Sequence, residues 1–218
     1  MTSPALHDAD MADLDVEATR RRLTPRQAEV VANLVRAAEE ETEEVGYAGL
    51  TVRNVARRAG VAPATAYTYF SSKDHLLAEV LWRRMEALPP VATDPSLPLA
   101  ERVGRTIHDM IPFAGQGTAL IDACTVALIS PSPDVAHLRD RIGALTHRRL
   151  VAAVGADVDP RVVRVLETSY SGALLAAGTG HRSFHDIPAF VADAAVLLVA
   201  GAAAGTTPPT AKPKGARR

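Results

Sequence analysis

Residues 49–77 read GLTVRNVARRAGVAPATAYTYFSSKDHLL, and their spacing predicts two short helices joined by a fixed corner. Thr51 is a suitable N-cap for a helix carrying Val52, Val55, Ala56 and Ala59 inward and Arg53, Asn54, Arg57 and Arg58 outward. Ala56 is small, so a second helix can cross closely. Gly60 stands where the first helix must end and reverse, a position that favours a left-handed backbone, and Val61 then plugs the corner. Pro63 suits the first turn of the second helix, where a backbone N–H would have no intrahelical partner. Ala66 and Phe70, four apart, face inward and leave Ala64, Thr65, Tyr67, Thr68 and Tyr69 available outside.

A pair of helices meeting at such a corner is the helix-turn-helix pattern. A recognition helix entering the major groove of DNA needs small or hydrogen-bonding side chains near its N-terminus and phosphate-reaching groups at its flanks. The exposed set fits that demand. From Ala48 to Lys73 the basic residues are Arg53, Arg57, Arg58 and Lys73, with no acidic residue among them, so the stretch is expected to be locally positive.

The run from Thr51 through Gly60 to Tyr67, Tyr69, Phe70, Ser72, Lys73 and Leu76 resembles the signature of the TetR family of transcriptional regulators, over roughly residues 25–85. The resemblance implies base-edge contacts from Arg53, Ala64, Thr65 and Thr68, and phosphate contacts from Thr51, Tyr67, Tyr69 and Lys73. Those roles agree with the chemistry: an arginine can pair with guanine O6 and N7, while tyrosine hydroxyls and an ammonium bind backbone oxygens. Two positions depart from the pattern. Ala66 replaces the larger aliphatic residue usual in the family, and Ala64 offers a base only a methyl contact. Arg20, Arg21, Arg22 and Arg26 are candidates for a basic arm. Glu39, Glu40, Glu41, Glu43 and Glu44 load the end of the preceding helix with negative charge; that end is expected to point away from DNA as a solvated face.

Around this stretch, apolar residues recur every three or four positions without β-branched alternation, which predicts an all-α chain. Breaks at Gly and Pro give about nine helices: Pro25–Val45, Val52–Ala59, Pro63–Phe70, Lys73–Leu88, Leu99–Phe113, Gly117–Ile129, Pro133–Gly155, Pro160–Gly178 and Pro188–Ala204. The Pro-rich segment Pro89–Pro98 divides the first four from the last five. The expected organisation is a disordered acidic N-terminus (1–20), a three-helix DNA-binding head with its connecting helix (21–88), a helical dimerisation and ligand-binding body (99–204) and a disordered basic tail (205–218).

With 218 residues, 47% of them apolar, the chain can bury a substantial core, and a net charge of −1 neither requires nor excludes a nucleic-acid partner. One cysteine, Cys124, cannot form an intrachain disulfide, and residues 1–20 lack the layout of a signal peptide, so the cytoplasm is the expected setting. The most apolar run, Ala194–Ala204, falls short of the ~20 residues that span a bilayer, and no membrane association is expected.

The segments SYSGALLAAG (169–178) and AAVLLVAGAAA (194–204) are rich in small residues that permit close helix packing, and predict a homodimer through the last two helices. The resemblance further implies a cavity in the body for a small apolar or amphipathic effector. Candidate lining residues are Ile107, Met110, Ile111, Phe113, Ile121, Cys124, Thr125, Leu128, Leu145, Leu166 and Tyr170, which are also the positions any bundle core requires. His108, Asp122 and His147 are isolated polar groups on those helices. His181 and His185 have a metal-compatible spacing but sit between Gly180 and Pro188, and neither a metal nor a cofactor is expected.

Three functions fit the residues: a ligand-responsive repressor binding a palindromic double-stranded DNA operator, an effector-independent DNA-binding dimer whose body recruits a protein partner, and a helical enzyme. The chain carries no nucleophile elbow, phosphate loop or paired metal motif, so the enzyme reading has little behind it.

Overall fold

A computed structural model describes residues 24–91, 94–111, 118–155 and 157–203. The described residues form nine α-helices and no strand: α1 (Pro25–Gly49), α2 (Val52–Arg58), α3 (Pro63–Tyr69), α4 (Lys73–Glu86), α5 (Leu99–Asp109), α6 (Thr118–Leu128), α7 (Pro133–Val154), α8 (Pro160–Gly178) and α9 (Ile187–Ala203), with a 3-10 helical turn at Phe184–Asp186 before α9. The predicted disordered ends, the arginines at 20–22, Phe113 and Gly117 lie outside the described residues.

Local chemistry explains most of these limits. Thr24 and Gln27 form a reciprocal capping box at the start of α1, with Pro25 at the first helical position. The predicted end at Val45 falls where the chain kinks: Gly46 has φ 64°, and one further turn then reaches Gly49. Pro160 starts α8 behind an Asp159 cap, and α8 has the limits expected of it. α5 is shorter than its apolar period predicted, with Met110 as its C-cap.

The buried faces are helical stripes. On α1 they run Val31, Leu34, Val35 and Ala38, and they pack against α2, α4 and α6. α4 lies against both α6 and α7, and a small cluster of Ala78, Trp82, Val135 and Leu138 fills its junction with α7. In the rest of the body α5 packs on α9 and α7, and α8 on α7 and α9. One apolar interior runs from Val31 and Phe70 through Leu76 to Ala195, so helices before and after the Pro-rich segment share it. The stretch Phe184–Gly201 is longer than the predicted apolar run and apolar enough by composition to match a membrane span. Ile187, Val191 and Ala195 are nevertheless fully buried in the bundle.

The acidic end of α1 corrects the solvated-face expectation. Glu41 is only 6% exposed, and its Oε2 accepts a 2.7 Å bond from Arg58 Nε. Arg58 Nη1 also donates to Glu44 at 2.9 Å, and Glu39 takes both Nε and Nη2 of Arg84 at 2.8 and 2.7 Å. Hydrogen bonds from Glu44 and then Glu41 hold the Arg58 guanidinium above its ordinary value. The acids therefore join α1 to α2 and α4, and only Glu43 keeps the solvated role without an ion pair among the described residues.

Candidate nucleic-acid interface

α2 begins at Thr51, whose hydroxyl oxygen accepts the Asn54 N–H at 3.1 Å. Val52, Val55 and Ala56 are buried, while Arg53 and Arg57 are exposed. The helix stops in a Schellman arrangement: Val61 N–H donates to Ala56 O at 2.9 Å and Gly60 N–H to Arg57 O at 3.2 Å. Gly60 has φ +67° with nothing within 4 Å of where a Cβ would stand, so the glycine answers a backbone need and not a steric one. Two hydrogen bonds and one left-handed residue thus set the angle at which α3 leaves.

α3 starts without a side-chain cap on Ala62, and Pro63 supplies the helical φ instead. Ala66 alone is buried within the helix, with Phe70 buried just after it. Ala64, Thr65 and Thr68 are exposed, and Tyr67 is 51% exposed. α3 therefore stands proud of the bundle on one small inner contact. Thr68 Oγ1 donates to Ala64 O at 3.1 Å, which leaves that hydroxyl only as an acceptor toward a partner. Tyr69 is half-buried against the core, less free than its spacing predicted.

The charges divide unequally. Arg53 and Arg57 make no ion pair among the described residues, whereas Arg58 is neutralised by the α1 acids. Lys73 Nζ donates to Tyr47 O at 2.7 Å and lies 3.9 Å from the centre of the Tyr47 ring. The Tyr47 hydroxyl in turn donates to Asp74 Oδ1 at 2.8 Å; burial, then the bonded Asp74 carboxylate, push its phenol up to about 12. The positive field expected from four basic residues thus rests mainly on Arg53 and Arg57, with Lys73 held in place beside the N-terminus of α4. Arg26 is exposed at the start of α1.

α3 is followed by a polar junction that the sequence did not reveal. Ser72 caps α4 through His75 N–H at 3.1 Å, and Ser71 Oγ donates to Asp134 Oδ2, in the first turn of α7, at 2.6 Å. His75 Nδ1 lies 3.3 Å from Ser71 Oγ and 3.7 Å from Asp134 Oδ2, with its ring edge-on to Phe70. The trio is not arranged as a hydrolytic triad. Asp134 takes the serine proton directly, and His75 Nδ1 accepts the Ser71 backbone N–H.

In the body, Ile107, Met110, Ile111, Ile121, Cys124, Leu166 and Tyr170 are buried in the common interior, and Thr125, Leu128 and Leu145 are half-buried. Tyr170 Oη donates to Met110 O at 3.1 Å, and burial raises both its phenol and the Cys124 thiol. These residues lie together as packed core. A half-open cavity of about 510 Å³ lies elsewhere, along the polar flank of α5, lined by Val91, Gly104, Arg105, Thr106, His108, Asp109 and Pro188. His108 reaches that cavity, His147 pairs with Glu167 at 2.6 Å, and Asp122 is half-buried with its carboxyl raised by burial. No group of three or more potential metal ligands occurs among the described residues.

The model of the family described as bacterial regulatory proteins, tetR family, matches residues 34–80. An uncharacterized HTH-type transcriptional regulator of Mycobacterium tuberculosis is 42% identical over 179 residues, spanning 81% of this chain and 84% of its own. The HTH-type transcriptional repressor KstR of Rhodococcus jostii is 32% identical over 65% of this chain and 69% of its own length. Among solved structures, a TetR transcriptional regulator from a Rhodococcus species superposes with a TM-score of 0.65 at 21% identity, covering 81% of this chain and 98% of that one.

Proposed function

Because the chain belongs to the TetR family and is a transcriptional regulator of helix-turn-helix type, we propose that it is a ligand-responsive repressor that holds a palindromic operator as a homodimer. The observation that carries the reading is the outer edge of α3. Ala64, Thr65, Tyr67 and Thr68 are all exposed on a helix whose direction is fixed by the Gly60 corner, and Arg53 flanks them without an intrachain partner among the described residues. Such an edge fits the major groove. Arg53, Ala64, Thr65 and Thr68 are assigned to base edges, and Thr51, Tyr67, Tyr69 and Lys73 to phosphates. Lys73 can still offer phosphate the donors that Tyr47 does not use.

Repression is favoured by the relatives named as repressors. A dimer is favoured by the outer stripes of α8 and α9, where Val165, Leu175, Val196 and Leu197 are exposed, Leu197 at 73%. A second copy would cover them and place two α3 helices on half-sites ~34 Å apart, or a multiple of that. Domain roles follow: residues 21–88 read DNA, and 99–204 dimerise and sense an effector in the body, with the cytoplasm as the setting. The family consists of regulators and not of enzymes, and nothing in the described residues favours catalysis.

Selection of bound DNA fragments by the purified protein tests the reading. The recovered site is expected to be a palindrome whose affinity falls steeply with salt. Arg53→Ala should relax base preference, while Tyr69→Phe and Lys73→Ala weaken binding to all sequences. Unchanged affinity in all three variants refutes the assignment of the interface.

A further inference from the structure

Two arginines serve the region where α5 meets α7, and they are satisfied very differently. Arg102 donates from Nε to Ala153 O at 3.0 Å, from Nη2 to Val154 O at 3.1 Å and from Nη1 to Leu97 O at 3.3 Å. It is a fully used structural cation. Arg149 lies on the inner stripe of α7 with Thr146, Leu150 and Ala153 and is only 6% exposed, yet only its Nη1 is bonded, to Pro89 O at 2.7 Å. Its Nε and Nη2 have no hydrogen-bond partner at all. Burial holds this guanidinium below its ordinary value, and the Asp109 carboxylate counters only through space.

A buried guanidinium with unmet donors is costly, and native chains rarely keep one without a use. The two unmet donors are not scattered. Nε–H and Nη2–H point the same way along one edge of the planar group, the pair that matches the two oxygens of a carboxylate. The same chain shows what that edge binds when it is filled: Arg84 gives its Nε and Nη2 to the two oxygens of Glu39 at 2.8 and 2.7 Å. Arg149 also lies beside the half-open cavity. The carbonyl it holds belongs to Pro89, two residues before the lining Val91, and Asp109 is itself a lining residue. A volume of about 510 Å³ lies in the range that takes a small organic molecule.

We propose that the open Nε/Nη2 edge of Arg149 receives a carboxylate, so that the effector is an organic acid with an apolar portion, bound between α5, the Val91 segment and the start of α9. The proposal rests on the reading of the body as a sensor. It names the charged end of the ligand and the residue that selects it. A neutral molecule of the same shape would leave the guanidinium as it is now, with two donors unmet.

The test uses the full chain, with decanoate and 4-phenylbutanoate as probes and their primary amides as neutral counterparts of the same shape. Each is followed by thermal unfolding and by release of a selected operator fragment. The acids are expected to raise the unfolding midpoint and bind about 10- to 100-fold more tightly than the amides. Arg149→Gln should abolish that preference, and Arg149→Lys should not restore it, because an ammonium cannot offer a planar fork. Nitrogen-edited NMR of the Arg149 Nε–H in the wild-type protein gives the same answer without relying on a variant that folds: the signal should move with decanoate and stay with decanamide. Equal binding of acids and amides, undiminished acid binding by Arg149→Gln, or no response to any acid overturns the proposal. If neutral probes release DNA as well as acids do, sensing stands and the carboxylate site falls. If acids bind through Arg149 but leave operator affinity unchanged, the site stands and the sensing role falls.

Discussion

Ser71 Oγ and Asp134 Oδ2 are 2.6 Å apart although 63 positions separate them, and their hydrogen bond ties the turn after α3 to the first turn of α7. His75, packed edge-on to Phe70, sits between them. A shift of α7 therefore reaches the end of the recognition helix through one polar contact and the ring beneath it. Ser71→Ala and Asp134→Asn are expected to leave operator affinity of the free protein nearly unchanged while lowering effector coupling by about 0.5–2 kcal/mol. Anisotropy titrations with and without effector measure this, and wild-type coupling in both variants would place the communication elsewhere.

The corner between α2 and α3 gives a second test. Gly60→Ala introduces no clash, since nothing lies within 4 Å of the added carbon, so its cost is the left-handed backbone alone, about 1–2 kcal/mol. Gly60→Asn should cost less, because asparagine tolerates that conformation better. Urea unfolding should rank them glycine, asparagine, alanine; an alanine variant as stable as wild type would mean the corner is not strained.

Thr65 and Thr68 should not be equivalent on DNA. The Thr68 hydroxyl proton is already given to Ala64 O, whereas Thr65 makes no side-chain hydrogen bond among the described residues. Thr65→Val is expected to lose about 1–3 kcal/mol of discrimination at its base pair, and Thr68→Val distinctly less. Binding to single-base operator variants decides the order.

Tyr47 supplies a pH dependence whose sign is fixed. Its phenol is raised from 10.0 to about 12 in the folded chain, first by burial and then by Asp74. Stability from this neutral phenol is therefore complete below pH 10.0 and is lost as pH rises toward about 12. Tyr47→Phe should flatten that part of the stability profile and remove the late phenolate step from an ultraviolet titration. An unchanged late step would assign it to Tyr170, the other raised phenol.

Much of this was legible in the residues themselves. Helical period and the placement of Pro and Gly located all nine described helices, because caps and inner stripes are local properties. Partners are not local. Arg58 looked like a DNA-facing cation until α1 brought Glu41 and Glu44 against it, and Lys73 is claimed by a carbonyl 26 residues earlier. Arg149 was overlooked although Thr146, Leu150 and Ala153 share its face, since a basic residue on an apolar stripe is easily set aside as surface. The predicted cavity residues are the apolar stripe of α5, α6 and α8. The cavity described here forms on the other flank of α5, where Gly104 lies 3.5 Å from Ala192 and no periodic rule marks the space.

The unbroken apolar interior from Val31 to Ala195 bears on how such a protein can be re-engineered. Grafting a new reading head by exchanging only α2 and α3 keeps α1 and α4 in register with α6 and α7. A cut at the Pro-rich segment instead exchanges both faces of that seam, and the chimera then needs matching changes on the body to pack at all.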